Sequence, residues 1–177
     1  VPRIIAMRQG ETLMKEAQPQ ELNTAFKGLE RNFNPWGIGF DQRADWAQGL
    51  DIPLMSESKP EDVDVLMWVG CAGSFDSRNQ KIAKATAKLL KKAGVRFAIL
   101  GSEEKCTGDL ARRSGNEMLY QMLAGENVET LNGYKVKKVV TNCPHCLNTL
   151  KNEYSQLGGN YEVYHHTQFL DQLSTAG

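Results

Sequence analysis

The sequence predicts an α/β protein: a three-layer, Rossmann-like parallel sheet with an N-terminal helical arm. From residue 62 onward, short apolar strand-like runs alternate with longer segments of helical periodicity. Strands that alternate with helices of this length imply βαβ units with right-handed crossovers, and hence a parallel sheet. Residues 1–61 instead combine helical spacing with a polar, proline-containing stretch. We therefore predict two units, a helical connector arm over 1–61 and a main domain over 62–177.

The connector arm is expected to hold two helices. The first covers 18–33, where apolar residues share one face: Leu22, Phe26, Leu29 and Phe33. It should end at the sequence Asn34-Pro35-Trp36-Gly37. A shorter helix is predicted over 41–49, with Trp46 on its apolar side. Residues 51–61 are polar and contain two prolines, which indicates a linker onto the main domain.

The main domain is expected to alternate between strands and helices. Strands are predicted over 62–70, 95–100, 136–141 and 161–165, with a further short element over 128–131. Helices are predicted over 75–93, 109–124, 146–157 and 167–174. Gly94 is placed to terminate the first of these helices. Its buried face is predicted from helical spacing as Ile82, Ala83, Thr86, Leu89 and Leu90.

The composition limits the classes of function. Of the 177 residues, 41% are hydrophobic and 24% charged, which are ordinary values for a globular domain. The 21 basic and 21 acidic residues balance to a net charge of zero, so nothing in the charge indicates a nucleic-acid partner. No apolar run approaches the ~18 residues of a membrane span, and no secretory signal is present. Because the chain begins with Val1, we expect a fragment of a larger protein, in a cytoplasmic setting that keeps cysteines reduced.

Four cysteines form one spaced set in the predicted domain: Cys71, Cys106, Cys143 and Cys146. The first three follow strand-like runs, and the carboxyl ends of parallel strands lie along one edge of a sheet. We therefore expect the cysteines to meet there as a four-thiolate metal site. Four thiolates suit a 4Fe-4S cluster or zinc alike. The cluster is favoured because structural zinc sites usually use two close pairs, and only Cys143 and Cys146 form one; zinc stays open.

Two other interpretations of the cysteines fit the chain less well. Two disulfides would suit a small secreted protein, whereas this chain is long enough to build a core. The sequence Cys143-Pro144-His145-Cys146 after a strand also suits a thioredoxin-like dithiol enzyme. That fold needs further strands and a facing proline, but only 31 residues follow Cys146 and none is proline. It would also leave Cys71 and Cys106 as small buried hydrophobic side chains.

Residues next to the cysteines are candidates for the surroundings of a cluster. Thr107 is placed to cap the helix that follows Cys106. Gly108 permits a close approach of the backbone, and Asp109 comes directly after it. Pro144 suits a first helical turn because it has no N–H group to satisfy.

The three histidines are further candidates for the surroundings. His145 lies between two predicted ligands and is placed to tune a cluster through hydrogen bonding, or else to remain solvated. His165 and His166 end the last predicted strand, where alternation sends their side chains to opposite faces. For both, a surface position or a hydrogen-bonded strand end is the alternative to a contact with the cluster.

The cysteine set resembles the cysteine-rich CCG domain of heterodisulfide reductases, of glycolate oxidase iron–sulfur subunits and of related iron–sulfur oxidoreductases. The motifs that match are Val69-Gly70-Cys71-Ala72-Gly73-Ser74, Glu104-Lys105-Cys106-Thr107-Gly108-Asp109 with Ala111-Arg112-Arg113-Ser114-Gly115-Asn116-Glu117, and Thr141-Asn142-Cys143-Pro144-His145-Cys146. The family pattern is one cysteine, a gap, a Cys-Cys pair, a second gap and Cys-x-x-Cys. Here the gaps are 34 and 35 residues, and both fit. The resemblance covers about 62–170 and implies that 62–177 is such a domain.

The chain departs from the family at Thr107, where the family often has the second cysteine of its pair. In heterodisulfide reductase, domains with five cysteines hold non-cubane clusters and cleave a disulfide. With four cysteines, the resemblance implies a cubane 4Fe-4S cluster held by Cys71, Cys106, Cys143 and Cys146. It also implies electron relay in place of disulfide cleavage.

One branch of the family looks closest. The Cys-Thr-Gly-Asp version, with Leu29-Glu30-Arg31-Asn32 and Asn34-Pro35-Trp36-Gly37 upstream, resembles membrane-associated iron–sulfur reductases linked to electron transfer flavoprotein and fatty-acid β-oxidation. That resemblance implies membrane helices and a ferredoxin-like domain before this segment, and a second CCG domain after it. Electrons would pass from reduced flavoprotein to quinone at the cytoplasmic face of the inner membrane. Residues 1–51 would then be the connector from the ferredoxin part.

Overall fold

Four parallel strands form the sheet in the part of the chain that the structure describes: β1 (Val65–Trp68), β2 (Phe97–Ala98), β3 (Lys138–Thr141) and β4 (Glu162–His165). The structure is a computed structural model that describes residues 2–15 and 17–175, so Val1, Glu16, Ala176 and Gly177 of the predicted arm and domain lie outside the described residues. The strand order is β2-β1-β3-β4, with Leu66 opposite both Ala98 and Val139. The predicted parallel sheet is confirmed, with shorter strands.

Two apolar clusters on opposite faces of the sheet account for its three layers. Leu66 and Trp68 of β1 pack into one cluster, and Val65 and Met67 pack into the other. This is the alternation that a pleated strand imposes on its side chains. All four residues of β1 are buried, as expected for a strand that is covered on both faces. The predicted α/β class is therefore confirmed.

Helices cover both faces of this sheet. In chain order they are α1 (Pro2–Gln9), α2 (Gln20–Asn32), α3 (Gly70–Phe75), α4 (Ser77–Lys92), α5 (Asp109–Arg113), α6 (Glu117–Gly133), α7 (Pro144–Asn148) and α8 (His166–Thr175). Helices α2, α5, α6 and α7 contribute to the cluster that contains Trp68, whereas α4, α8 and a 3₁₀-helix at Phe40–Ala47 contribute to the other. Gly10–Met14 and Thr149–Glu153 are π-helical, and shorter 3₁₀ turns occur at Met55–Glu57, Pro60–Asp62, Gly101–Glu103 and Tyr154–Leu157.

Gly115 explains why the single helix predicted over 109–124 is two helices. It has a φ of 93°, in the left-handed region, and it separates α5 from α6. Helix α1 crosses the chain at this point, so that a Cβ atom on Gly115 would lie 2.4 Å from the carbonyl carbon of Arg8. The separate element predicted over 128–131 is wrong, because Val128 and Leu131 continue the buried face of α6.

The predicted buried face of the segment 75–93 is partly wrong. Ile82 and Leu89 are 39% and 47% exposed, whereas Ala87 is buried with Ala83 and Leu90. The buried stripe of α4 runs through Ala83, Thr86, Ala87 and Leu90 at spacings of three and four residues, and Ile82 and Leu89, one position earlier, lie at its margin. The helix predicted over 75–93 is α4 (Ser77–Lys92). A short helix that was not predicted, α3, precedes it; Asp76 ends α3 and caps α4 by accepting a hydrogen bond from the N–H of Asn79.

The amino-terminal arm contacts both faces of the sheet. Phe26 and Leu29 of α2 are buried in one apolar cluster, and Trp46 is buried in the other. The segment predicted as a linker also pairs with the sheet, since Leu54 forms a parallel bridge with Ile99. The unit boundary between 61 and 62 stays a prediction. None of the helices in the described ranges is both long enough and apolar enough to cross a membrane.

Candidate metal centre

Three loops carry the four cysteines at the carboxyl edge of the sheet. Cys71 lies in the first turn of α3, directly after β1. Cys143 follows β3 and occupies the N-cap position of α7, and Cys146 lies inside that helix. Cys106 is in the loop between the turn at Gly101–Glu103 and α5. This edge is where open parallel sheets bind their ligands.

Gly70 lets the Cys71 loop contact the loop of Cys143 and Cys146. Its φ is 74°, a conformation that other residues rarely adopt. A Cβ atom at this position would lie 3.2 Å from the Sγ atom of Cys146 and 3.8 Å from the Cβ atom of Cys143. The two loops are therefore in contact across a position without a side chain.

Cys71 and Cys106 form one thiol pair. The pKa of Cys71 is lowered to about 7, chiefly because the Cys106 thiol donates a hydrogen bond to its sulfur; burial opposes this shift and the charge of Arg43 supports it. The same hydrogen bond, with burial and the negative charge of Cys71, raises the pKa of Cys106 well above its ordinary value. Within this pair, Cys71 is the sulfur that ionises first.

Cys143 and Cys146 form the second pair. The pKa of Cys143 is lowered to about 6, chiefly by a hydrogen bond from the Cys146 thiol, against burial and with help from the N–H groups of Cys146 and His145. The pKa of Cys146 is raised by that hydrogen bond, by burial and by the negative charges of Cys143, Cys106 and Cys71. Because all three other sulfurs act on Cys146, the four cysteines share one electrostatic environment.

The sulfurs lie as two pairs of free thiols. Cys146 is buried and the other three are partly exposed. Across residues 2–15 and 17–175, no group of three or more His, Cys, Asp or Glu side chains is arranged to surround a single metal ion.

Thr107 and Gly108 line the buried side of this site. Thr107 is 2% exposed, and its Oγ1 atom lies 4.0 Å from the Sγ atom of Cys146. The predicted capping role of Thr107 is wrong, because Gly108, with a φ of 84°, occupies the N-cap position of α5. A Cβ atom on Gly108 would lie 2.8 Å from the Cδ2 atom of Tyr120, so only glycine fits between the Cys106 loop and α6.

His145 and Asp109 connect the second cysteine pair to α5. The Nδ1 atom of His145 lies 3.0 Å from the Oδ2 atom of Asp109, and the imidazole is largely exposed. The other oxygen of Asp109 accepts hydrogen bonds from Arg113 at 3.1 Å and from Thr149 at 3.3 Å. Pro144 occupies the first turn of α7. His145 thus has a carboxylate as its hydrogen-bond partner.

His165 and His166 lie at the same sheet edge and contact each other. The Nε2 atom of His165 lies 3.1 Å from the carbonyl oxygen of Asn142, and its Nδ1 atom lies 2.8 Å from the hydroxyl of Thr167. The two rings have centroids 4.2 Å apart, and so the predicted opposite orientation is wrong, because His166 begins α8. Within the described residues neither donates to a cysteine sulfur, and their contact with a cluster stays a prediction.

Sequence reasoning misses a buried ion pair beside Cys71. Arg43, from the 3₁₀-helix Phe40–Ala47, and Glu104, from the Cys106 loop, are each 2% exposed. The Nη2 atom of Arg43 lies 2.9 Å from Glu104 Oε1 and 3.5 Å from the Sγ atom of Cys71. A sequence signal exists, since Arg43 lies three residues before Trp46 on the predicted apolar side of that helix.

A second missed group supports the Cys106 loop from α6. Asn127 is fully buried; its amide donates to the carbonyl oxygen of Cys106 at 3.0 Å and accepts from the N–H of Lys105 at 3.2 Å. The hydroxyl of Tyr154 accepts from Asn127 at 3.1 Å and donates to the carbonyl oxygen of Thr107 at 3.2 Å. The signal in the sequence is one amide side chain at helical spacing among apolar residues.

Comparison with known families identifies residues 65–151 as a CCG cysteine-rich domain. This segment begins at β1 and contains all four cysteines. No solved structure matches the chain.

Curated relatives match the chain over its whole length. It is 47% identical over 180 residues to the "EtfAB:quinone oxidoreductase" of Syntrophomonas wolfei, covering 100% of this chain and 25% of that protein. It is 44% identical over 182 residues to the "Probable iron-sulfur-binding oxidoreductase FadF" of Bacillus subtilis, covering 100% and 26%. It is 41% identical over 182 residues to the "Probable membrane-anchored ferredoxin" of Chromohalobacter salexigens, covering 100% and 27%. The chain thus spans about a quarter of the length of these relatives. Through the domain at residues 65–151, the chain belongs to the CCG family of cysteine-rich domains.

Proposed function

We propose that this chain is the electron-relaying part of an iron–sulfur oxidoreductase and that Cys71, Cys106, Cys143 and Cys146 bind one 4Fe-4S cluster. The observation that carries the proposal is the placement of all four cysteines at the carboxyl edge of the sheet, with the loops of Cys71 and Cys146 in contact at Gly70. A relative named as iron-sulfur-binding supports it. When bound by four thiolates, such a cluster supplies one-electron transfer.

The residues present fit this group. Thiolates are the ligating form of cysteine, and the lowered pKa values of Cys71 and Cys143 make one thiolate available in each pair. Arg43 supplies a buried positive charge beside the sulfurs, which offsets the negative charge that thiolates bring. Gly70 leaves the inner wall free of a side chain where two loops meet.

We propose electron relay in preference to disulfide cleavage because of Thr107. Its hydroxyl is buried beside Cys146, at the position where related domains often carry a further cysteine. Soft thiolates select iron–sulfur clusters and hydroxyl oxygens do not. The site therefore offers four thiolate ligands, the number that a cubane cluster takes.

In the parent protein, the domain would pass electrons from electron transfer flavoprotein towards quinone. The name of the Syntrophomonas wolfei relative, EtfAB:quinone oxidoreductase, supports these partners. The relatives extend far beyond the matched segment, which supports further domains in the same chain; we propose that they include a ferredoxin-like domain and a second CCG domain. The relative named as a membrane-anchored ferredoxin supports a location at a membrane, which we assign to the cytoplasmic face of the inner membrane.

We also propose the division into a connector arm over 1–61 and a CCG domain over 62–177. In this division the arm forms one wall of the cluster site. The carbonyl oxygen of Phe33, at the end of α2, accepts a hydrogen bond from the N–H of Cys106 at 2.9 Å. Arg43 provides the second contact, through the sulfur of Cys71.

Anaerobic reconstitution of the 177-residue chain with ferrous iron and sulfide tests the proposal. We expect about four iron and four sulfide per chain, an EPR signal after dithionite reduction, and loss of both in each of the four Cys→Ser variants. Stoichiometric zinc without sulfide in anaerobically purified protein would contradict the redox function and favour a zinc-stabilised docking module. Insulin reduction that requires Cys146 would instead favour the dithiol enzyme.

A further inference from the structure

A buried arginine from the connector arm lies against the cysteine site with its orientation fixed. The Nε and Nη2 atoms of Arg43 both donate to the Oε1 atom of Glu104, at 3.3 and 2.9 Å. The Nη1 atom donates to the carbonyl oxygen of Phe33 at 3.4 Å, and the ring of Phe75 lies 5.8 Å from the guanidinium carbon. Held in this way, the guanidinium presents Nη2 to the Sγ atom of Cys71 at 3.5 Å.

Glu104 fixes both sides of this contact. Its two carboxylate oxygens accept hydrogen bonds from the N–H groups of Val69, at 2.9 Å, and Gly70, at 2.8 Å. These are the two residues directly before Cys71. The carboxylate thus holds the arginine with one set of hydrogen bonds and the backbone directly before Cys71 with another, so it sets the distance between the guanidinium and the sulfur.

Stability alone does not account for a buried ion pair at this place. Taking two charges out of water offsets much of their mutual attraction, and an apolar pair of similar volume often stabilises a protein equally well. Arg43 is also the one cationic side chain that hydrogen-bonds to a cysteine sulfur within the described residues. Burial opposes its charged form, but the neighbouring Cys71 and Glu104 outweigh burial and raise the pKa of Arg43 above its ordinary value.

We infer that Arg43 is a positioning residue that sets the redox level of the cysteine site: held by Glu104, it donates to the sulfur of Cys71 and favours uptake of an electron there. The inference rests on the proposed function. A positive charge and an N–H donor beside a ligating sulfur stabilise the negative charge that one added electron brings. The carboxylate of Glu104 opposes that electron through its charge, although it anchors the arginine.

Three charge-removing variants of the chain test this inference. Arg43→Gln and Glu104→Gln remove opposite charges from the same ion pair, so structural loosening alone would shift both potentials in the same direction. Arg96→Gln is the matched control. Arg96 forms an exposed ion pair with Asp64 and directly precedes β2, so it lies at the amino ends of the strands, away from the cysteines at their carboxyl ends. Each protein is reconstituted anaerobically, analysed for iron and sulfide, and titrated with dithionite as the electron donor while EPR follows the reduced fraction.

We expect Arg43→Gln to lower the midpoint potential and Glu104→Gln to raise it, with Arg96→Gln unchanged. For Arg43→Gln, the ratio of reduced to oxidised sites at a fixed solution potential should fall about tenfold, which is about 59 mV for a one-electron couple. Arg43→Lys should restore part of the shift, because it keeps the charge but loses the planar fork.

Shifts of the same sign in Arg43→Gln and Glu104→Gln would overturn this inference and leave the proposed function standing. The same holds if Arg43→Gln does not differ from Arg96→Gln. A wild-type chain that takes up no iron and sulfide would overturn the proposed function and the inference with it. If Arg43→Gln retains no iron, Glu104→Gln decides the sign: a raised potential supports the inference, and an unchanged or lowered one overturns it.

Discussion

The backbone of Gly70 lies against the sulfur of Cys146, so closely that a methyl group on Gly70 would stand 3.2 Å from the Sγ atom. The contact joins the loop after β1 to the loop after β3. These loops are neighbours because β1 and β3 pair directly in the sheet. Because it has no side chain, Gly70 allows the two thiol pairs to lie next to each other.

Gly70→Ala should reduce cluster binding as well as stability. Its left-handed φ of 74° alone should cost about 1–2 kcal/mol in an alanine, and the new methyl group should displace Cys146. Gly94→Ala is the control, because Gly94 has a φ of 70° but no atom within 4 Å of the added Cβ. Urea unfolding of the apo proteins should show both losses of stability, and iron analysis should show reduced content in Gly70→Ala alone. Equal iron in the two variants would contradict the packing role of Gly70.

Thr107→Val should keep the iron content of the wild-type protein. The substitution preserves the shape of the buried side chain and removes the hydroxyl that lies 4.0 Å from Cys146. If Thr107 is not a ligand, the four thiolates suffice and iron analysis after reconstitution should give the wild-type value. Cys106→Ser, at the adjacent residue, should lose the iron. Equal losses of iron in Thr107→Val and Cys106→Ser would instead indicate that the Thr107 hydroxyl is a ligand of the cluster.

Asn127→Leu should loosen the Cys106 loop and destabilise the chain. It leaves the buried carbonyl oxygen of Cys106 and the N–H of Lys105 without the partners they have in the structure, at a cost of about 1–3 kcal/mol. The loss should appear in urea unfolding and as faster hydrogen exchange at residues 104–108. Glu129→Leu, at an exposed position of α6 whose side chain has no hydrogen-bond or ion-pair partner within the described residues, should stay within about 0.5 kcal/mol. Similar effects of the two substitutions would refute the supporting role of Asn127.

Gly115→Ala should release α1 from the rest of the protein. The added Cβ atom would lie 2.4 Å from the carbonyl group of Arg8, and the hydrogen bonds of Arg8 to Arg113 and of Thr12 to Ser114 depend on that approach. Hydrogen exchange should show loss of protection over residues 2–14. Gly158→Ala is the control, since Gly158 has a φ of 85° and no atom within 4 Å of the added Cβ. Protection of α1 that survives Gly115→Ala would show that the helix is held by other contacts.

The sheet and the convergence of the cysteines follow from local patterns in the sequence. A cysteine that follows a strand of a parallel sheet lies at the carboxyl edge of that sheet, however the helices pack. The proximity of Cys71 and Cys143 could therefore be predicted from the order of strands and helices in the sequence. The break at Gly115 was not accessible in this way. The residue that excludes a side chain there is Arg8, more than a hundred positions earlier in the chain.

The ion pair of Arg43 and Glu104 illustrates the same limit. A charged residue on an apolar helix face indicates burial with a partner, but the partner lies 61 residues away and the sulfur of Cys71 lies 28 residues away. Neither separation leaves a periodic signal. Ile82 and Leu89 show the converse case, because helical spacing is compatible with their burial, although the face that packs on the sheet runs through Ala83, Thr86, Ala87 and Leu90.

The carbonyl oxygen of Phe33 lies within hydrogen-bonding range of the Cys106 N–H, at 2.9 Å, and of the Cys71 thiol, at 3.8 Å. Phe33 and Arg43 both lie outside the segment 65–151 that carries the family pattern. A transplant of that segment into another oxidoreductase would therefore bring every cysteine but leave one wall behind. The charges and hydrogen-bond partners around the cysteines would then come from the new host protein. A functional transplant should therefore include the arm together with the domain.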